Sequence, residues 1–196
     1  MPENEDSFAG SALITFLSSL DKSELREFDK FIHSPFHNNR SEVSRYFDVL
    51  KKFHPQFTGR EFSKQHIYSL LYPGTSYKDD VLRRLSSNLL KAGEEFGAYI
   101  TFRKDKFAYN KSLSAYYLSK SSQKLLARQI NKTESDLLAS PCRDAAFFLN
   151  MSFLEEYRRL GSVRNDSSGR KIDVQDQIDS TWKFAAITLF RLYKIA

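Results

Sequence analysis

Cysteine is almost absent from this chain, which holds a single one at position 142. A lone cysteine excludes an internal disulfide framework and a zinc site built from several thiolates. Such sparing use of cysteine is typical of proteins from a reducing compartment. At 196 residues the chain is also long enough to bury a sizeable apolar core without covalent cross-links.

Turn-forming residues are scarce as well, with seven glycines and five prolines. So few breaks favour helices over many short strands. No run approaches the roughly 20 apolar residues that a membrane-spanning helix needs. The first ten residues, MPENEDSFAG, are acidic and lack the basic start and apolar run of a signal peptide. We therefore expect a cytoplasmic protein that does not contact membranes.

Aromatic side chains, in contrast, are abundant, with 17 phenylalanines and 10 tyrosines. Apolar residues recur at steps of three and four, the spacing of amphipathic helices. We predict an all-α fold, an array of short antiparallel helix pairs that is similar to helical repeats, with a compact bundle as the alternative. The predicted parts are a disordered N-terminus (1–10), a helical domain (11–97) and a second helical segment (98–196) that continues in a longer parent protein.

Several helix ends and connections can be predicted in the second half of the chain. Gly93 and Gly97 are expected to bend or end the helix that contains them, because an interior glycine costs roughly 1 kcal/mol relative to alanine. Two further helices follow and are split near 121–122 or at Asn131. The polar stretch 161–171, GSVRNDSSGRK, predicts a loop or linker.

The last predicted helix, 173–195, carries more apolar surface than one neighbouring helix covers. Its second half is apolar nearly all round, so it needs neighbours on more than one side. We predict that a partner, or further helices of a longer chain, covers this helix at Trp182, Phe184 and Phe190.

Positive charge is concentrated in one stretch of the sequence. The net charge is +6, and residues 101–135 include eight bases but only two acids. Such an excess attracts nucleic acid, acidic protein or anionic lipid, whereas a lysine-rich face in contact with water is the alternative. The candidate contacts to nucleic acid or a partner are Arg83, Arg84, Lys91, Arg103, Lys104, Lys106 and Lys111.

Four tyrosines, at positions 99, 109, 116 and 117, are interspersed with these bases. Tyrosines beside basic residues form stacking surfaces for nucleic acid. At helical spacing they more often lie half-buried in the core with the hydroxyl at its rim, and we favour that interpretation.

No arrangement of side chains predicts catalysis. His33 and His37 are separated by a proline, which prevents them from sharing one helical face. His54 and His66 have no carboxylate or cysteine at the spacing of a metal site. Cys142 stands near a predicted helix start, and a buried structural cysteine is the commoner case there. We therefore predict no catalytic residue, metal ligand or cofactor, and a protein that is not an enzyme.

Three phrases, LREFDKFIHSPFHN, IYSLLYPG-x-x-Y and LRRLSSNLLK, resemble the N-terminal region of a family of uncharacterised all-helical bacterial proteins. Members of that family continue through further helices of tetratricopeptide-like character. The resemblance implies an all-helical fold within a longer chain, and it implies no activity.

Residues 63–96 are also similar to the helix-turn-helix core of winged-helix transcriptional activators. In this resemblance 71–73 (LYP) supplies the turn, and Arg83 and Arg84 lie on the recognition helix. It implies DNA binding and a β-hairpin wing. The segment 98–107, AYITFRKDKF, alternates enough to supply one strand of that wing, although no glycine-containing hairpin turn follows it.

The leading hypothesis is a non-enzymatic helical scaffold or adaptor that binds a protein partner not identified by the sequence. The alternative is a regulatory nucleic-acid-binding protein that uses Arg83, Arg84 and the basic stretch 101–135. Both hypotheses leave the oligomeric state open.

Overall fold

The computed structural model describes residues 8–163 and 174–193, and the regular elements in these ranges are all helical. Short 3-10 turns occur at Phe8–Gly10 and Lys51–Phe53. The α-helices are α1 (Ala12–Ser19), α2 (Lys22–His33), α3 (Ser41–Leu50), α4 (Lys64–Leu71), α5 (Asp79–Lys104), α6 (Lys106–Ser119), α7 (Gln123–Ala139), α8 (Ala145–Val163) and α9 (Gln175–Tyr193). The predicted all-α class is confirmed, whereas the repeat-like array of helix pairs stays a prediction.

Side-chain caps determine where several helices begin. At the start of α2, Asp21 Oδ1 accepts hydrogen bonds from the backbone N–H groups of Ser23 and Glu24 at 2.6 and 2.8 Å. Glu24 Oε2 in turn accepts one from the Asp21 backbone N–H at 3.2 Å. This reciprocal capping box satisfies donors that the first helical turn leaves without a partner. The side chains of Ser63 and Asp105 cap α4 and α6.

Helix α5 corrects two sequence-based predictions. It runs for 26 residues, so neither Gly93 nor Gly97 ends it. Gly93 lies in its interior because the ring of Phe16 on α1 occupies the space that a side chain would need. The segment 98–107 is helical except at Asp105 rather than a wing strand, since it forms the end of α5 and the start of α6.

The chain divides into two compact units, a first unit that ends at Thr101 and a second unit that begins at Phe102. The sequence-based boundary was expected between residues 97 and 98. The first unit is built around Phe28, whose ring lies 5.0 Å from Phe47, 5.2 Å from Phe96 and 5.8 Å from Phe16, centroid to centroid. These contacts join α1, α2, α3 and α5 through one aromatic cluster.

The second unit contains α6, α7, α8 and α9, and its buried apolar centre consists of Leu126, Ile130 and Leu154. The predicted split near 121–122 is confirmed by the turn between α6 and α7. The loop predicted for 161–171 is wrong at its start, because α8 continues to Val163, and its remainder lies outside the described residues. None of the described helices combines the length and apolarity needed to cross a bilayer.

Candidate functional site

One side of α9 exposes large apolar side chains, and we call it the α9 face: Ile178, Trp182, Leu189 and Phe190. Their exposed fractions are 42%, 70%, 65% and 72%. Residues 178, 182 and 189 follow the spacing of one helical stripe, and Phe190 borders it. A shallow groove at the N-terminal half of the stripe is lined by Gln177, Ile178, Thr181, Trp182 and Ala185. Exposed apolar patches of this kind mark interaction sites on protein surfaces.

The opposite side of α9 is seated on α8. Phe184 is half-buried there, and the hydroxyls of Ser152 and Thr181 lie within 2.9 Å of each other. The ammonium group of Lys183 lies 5.6 Å from the centroid of the Phe148 ring. Since α8 covers only one side of the helix, α9 is held in place while the α9 face stays in contact with solvent. Of the three residues predicted to need a cover, Trp182 and Phe190 are therefore exposed and Phe184 is packed within the unit.

The two arginines of the proposed recognition helix are engaged in ion pairs. Arg83 Nε lies 2.5 Å from Asp79 Oδ2 on the same helix. Arg84 Nη2 lies 3.6 Å from Glu42 Oε2 of α3. Both side chains remain exposed, but each guanidinium already has a carboxylate beside it. Their charge is thus partly balanced within the first unit.

The other basic candidates are distributed along α5 and α6. Lys91 is exposed in the middle of α5, and Lys104 and Lys106 are exposed on either side of the junction between α5 and α6, as is Arg103. Lys111 lies half-buried, with its ammonium 3.2 Å from the centroid of the Phe153 ring. It therefore packs within the second unit instead of pointing to solvent.

Three further bases of the stretch 101–135 form a more regular set, whose alignment on one helix face was not predicted from the sequence. Lys124, Arg128 and Lys132 are all exposed and lie at steps of four on α7, which aligns them on one face. We call this set the α7 basic stripe. The constant spacing of four residues would have revealed the α7 basic stripe if Gln123–Ala139 had been predicted as a single helix.

The tyrosines of this region are more exposed than the sequence suggested. Tyr99, Tyr109 and Tyr116 are each between 41% and 55% exposed, and Tyr117 is half-buried. Tyr99 still contacts the core of the first unit, because its ring centroid lies 6.0 Å from that of the buried Phe31. Tyr109 packs against Phe102 with ring centroids 6.0 Å apart.

A charged cluster joins α2 to the end of α3. Lys51 Nζ lies 3.1 Å from Asp29 Oδ1 and 2.6 Å from Asp48 Oδ1. His33 Nε2 lies 3.2 Å from Asp48 Oδ2, and His33 Nδ1 donates to the Asp29 backbone carbonyl at 2.8 Å. Aspartate and histidine are metal-ligand types, but here the Lys51 ammonium already stands between the two carboxylates. The arrangement therefore forms a compact set of ion pairs.

This cluster favours the protonated form of His33. With Nδ1–H directed at a carbonyl oxygen, only the imidazolium has a second N–H to donate to the Asp48 carboxylate. The hydrogen bond to the Asp29 carbonyl, followed by the Asp48 carboxylate, raises the pKa of His33 although partial burial opposes it. Burial would raise the pKa of Asp48, but hydrogen bonds from Lys51 and His33 hold that pKa below its usual value.

The remaining histidines have structural contacts, and the cysteine differs from expectation. His37 stacks on Phe31 with centroids 3.9 Å apart, and His54 Nε2 donates to the Leu20 carbonyl at 2.9 Å. Cys142 is exposed, so the expected burial is wrong: it lies in the connection before α8, outside the core.

No protein-family model, curated protein or solved structure matches this chain. The function must therefore be inferred from the geometry of the described residues.

Proposed function

We propose that this protein is a helical interaction module that binds a protein partner through the α9 face. The observation that carries the proposal is the exposure of Trp182 and Phe190, each about seven-tenths accessible on a helix that α8 holds in place. Exposing an aromatic ring of ~150–250 Å² to water is costly, and burying it against a partner recovers that free energy.

The composition of the face favours a protein partner over a lipid surface. Tryptophan and other large aromatic residues are typical anchors of protein interfaces, where a few side chains supply most of the binding energy. A helix that lies in a membrane surface exposes a basic polar side beside its apolar side. On α9 the side opposite the α9 face is packed on α8, and the flanking charges, Asp179 and Lys183, have opposite signs.

The proposal is tested by comparing partner capture by the wild type and by a Trp182→Ser/Phe190→Ser variant. The purified chain, carrying a photo-crosslinker, is incubated with lysate of its native cells, and cross-linked proteins are identified by mass spectrometry. We expect the double variant to lose its specific cross-links. Phe36→Ser is the matched control, because Phe36 is 88% exposed but lies in the first unit. If the same proteins are captured by the double variant, the α9 face is not the binding site.

Nucleic-acid binding is the second candidate, and the α7 basic stripe supports it. Bases four residues apart on a helix lie about 6 Å from one another along its axis, close to the spacing of phosphates along a single strand. Three phosphate contacts predict that log K falls with log salt with a slope of about −2 for a single strand. The winged-helix resemblance instead assigns the contacts to Arg83 and Arg84.

Fluorescence anisotropy with labelled single- and double-stranded DNA and RNA over a salt series distinguishes these alternatives. If the stripe binds, Lys124→Gln/Arg128→Gln/Lys132→Gln abolishes the salt-dependent signal and Arg83→Ala/Arg84→Ala leaves it nearly unchanged. The reverse pattern supports the recognition helix. Absence of binding at low salt rejects nucleic-acid binding by either route.

A further inference from the structure

We infer that the outer side of the hairpin formed by α6 and α7 binds a single-stranded nucleic acid, with nucleobases stacked on tyrosine rings of α6 and phosphates against cations of both helices. The inference rests on the second candidate function and deepens it, because it adds the type of strand and the residues that contact the nucleobases. We call this surface the hairpin face, and it consists of Tyr109, Tyr116, Lys120, Lys124, Arg128 and Lys132.

Two contacts show which sides of α6 face its neighbours. Asn110 Oδ1 accepts a hydrogen bond from Gln129 Nε2 of α7, whereas the Lys111 ammonium lies 3.2 Å from the centroid of an aromatic ring of α8. Tyr109 stands next to Asn110 and on the side away from Lys111, since successive residues are about 100° apart around a helix. It therefore lies on the outer side of α6, toward α7, and Tyr116 follows two turns later on the same stripe.

The same reasoning places two cations of α7. Gln129 faces α6, whereas Glu134 faces α8, where its Oε2 lies 2.8 Å from a guanidinium nitrogen. Arg128 precedes Gln129 by one residue and Lys132 follows it by three, so both are turned toward the outer surface and away from Glu134. The hydrogen bond from Gln129 to Asn110 also brings both cations within about one turn of the level of Asn110. Tyrosines and cations therefore share the outer side of the hairpin.

Both tyrosine rings are accessible to a ligand. Tyr109 is 48% exposed and Tyr116 is 55% exposed. The Lys120 ammonium lies 5.7 Å from the centroid of the Tyr116 ring, so a stacking surface and a cation stand side by side. A nucleotide carries the complementary pair of groups, a flat nucleobase joined through its sugar to a phosphate. Stacking on aromatic side chains is a main source of affinity for single strands, and it tolerates any sequence.

The charge of the hairpin favours a polyanion. From residue 106 to residue 132 the sequence contains six bases and no aspartate or glutamate. Within the part of the chain that the structure describes, the four cations of the hairpin face form no ion pair, in contrast to Arg83 and Arg84. Their positive charge is therefore available to the phosphates of a strand.

The exposed rings distinguish a single strand from other polyanions. In a duplex each nucleobase is covered on both faces by its neighbours, so tyrosines on a helix surface stack only on an unpaired strand. An anionic lipid surface offers charge but no flat rings. Tyr109 and Tyr116 are seven residues apart, or about 10 Å along α6, which lets them stack on two non-adjacent nucleobases of one extended strand.

Fluorescence anisotropy of the full chain with labelled oligothymidine and oligouridine over a salt series tests the inference. Four phosphate contacts predict that log K falls with log salt with a slope of about −3. We expect Tyr109→Ala/Tyr116→Ala to weaken binding by about 30-fold or more without changing this slope, because stacking releases no counterions. Tyr109→Phe/Tyr116→Phe retains both rings and should bind as the wild type does.

Lys120→Gln should give the complementary result. It removes one phosphate contact, so the slope should become shallower by about 0.7. Trp182→Ser is the matched control, since Trp182 is an exposed aromatic residue of the same unit but belongs to the α9 face, and this variant should retain both affinity and slope. Circular dichroism verifies that each variant is folded.

Cross-linking identifies the stacked residues directly. A single-stranded oligonucleotide that contains 5-iodouracil is bound to the full chain and irradiated at a wavelength that iodouracil absorbs and the protein does not. The excited nucleobase forms covalent bonds chiefly with aromatic rings that stack on it, and mass spectrometry locates them. We expect cross-links at Tyr109 and Tyr116. Cross-links confined to residues outside the hairpin face overturn the inference.

The outcomes separate this inference from nucleic-acid binding in general. Salt-dependent binding that tolerates Tyr109→Ala/Tyr116→Ala, or that favours duplex over single strand, overturns the inference and leaves the second candidate function intact. Absence of binding at low salt contradicts both. Binding to vesicles that contain phosphatidylserine, without binding to oligonucleotides, identifies a lipid surface as the ligand and likewise contradicts both. Partner capture through the α9 face is measured separately and does not depend on these results.

Discussion

The two units use their apolar residues in different ways. The first unit buries a cluster of 18 apolar side chains that includes six aromatic rings, and the second unit buries only three in its main cluster. In the second unit many of the large apolar residues are half-buried or exposed, with Trp182 and Phe190 as extremes. The first unit therefore buries most of its large apolar side chains, although Phe36 is exposed, whereas the second unit leaves more of them accessible to solvent.

The second unit replaces part of an apolar core with polar contacts. Gln129 and Thr133 are buried on α7, where Gln129 Nε2 donates to Asn110 Oδ1 of α6 at 3.0 Å. Thr133 Oγ1 donates to the Gln129 backbone carbonyl at 2.9 Å. Hydrogen bonds orient the helices but add only about 1 kcal/mol each in net stability. We expect the second unit to be the less stable of the two.

Truncating one core leucine in each unit should produce the largest difference in stability loss between the two units. Leu89 is fully buried in the first unit, and Leu126 is its nearest equivalent in the second. We expect Leu89→Ala to lower the free energy of unfolding by about 4–5 kcal/mol and Leu126→Ala by about 2–3 kcal/mol, since the looser surroundings of Leu126 can relax into the space. Hydrogen exchange in urea, detected by mass spectrometry, shows in which unit each variant loses stability. Equal losses would contradict the difference in packing.

Two glycine substitutions on α5 test how tightly the helices of the first unit pack. A methyl group at Gly93 would overlap the Phe16 ring, whereas one at Gly97 meets nothing within 4 Å. We expect Gly93→Ala to destabilise by about 1–3 kcal/mol through overpacking, and Gly97→Ala to stabilise by about 0.5–1 kcal/mol through helix propensity. Thermal unfolding of both variants checks the signs. A neutral Gly93→Ala would mean that α1 and α5 are not tightly packed there.

An ion-pair network offers the corresponding test in the second unit. Arg158 Nη2 of α8 lies 2.8 Å from Glu134 Oε2 of α7, and its Nη1 also contacts Glu155. We expect Arg158→Met to cost about 1 kcal/mol, because two partly buried carboxylates lose their partner. Arg84→Met in the first unit removes a more exposed pair and should cost less than about 0.5 kcal/mol. Urea unfolding gives both values, and a larger cost at Arg84 would reverse the expected order.

The sequence was most informative where structure depends on neighbouring residues. The break near 121–122 was among the predicted positions because helix ends are determined by a few neighbouring residues. The apolar excess of α9 was also visible, since periodicity shows when a helix has more than one apolar side.

Tertiary contacts explain what the sequence could not show. The cluster of His33 with Asp48 joins residues on two helices, and no spacing along the chain predicts their distance. The continuation of α5 through Gly93 depends on Phe16, which lies on another helix. Likewise, the placement of Phe184 against α8 and of Trp182 in solvent depends on which side of α9 meets its neighbour.

A further small effect is a pH dependence confined to the first unit, which contains all four histidines. The pKa of His33 in the folded state is raised above 6.5, so its stabilising contribution is complete below pH 6.5 and is lost as pH rises through the folded pKa. The lowered pKa of Asp48 matters only in acid, because its contribution is present above its unfolded value near 3.8. Between pH 6 and 8 we therefore expect the first unit to lose less than about 1 kcal/mol, as His33 is exposed, while the second unit stays constant.

The variant His33→Gln isolates this effect. Glutamine keeps hydrogen-bonding capacity at the position but does not titrate, so hydrogen exchange of the first unit should become nearly independent of pH after correction for the intrinsic exchange rate. His66→Gln is the control and should retain the wild-type dependence, because His66 lies outside the charged cluster. If the stability of the first unit instead increased from pH 6 to 8, neutral rather than protonated His33 would be the form that stabilises the contact between α2 and the end of α3.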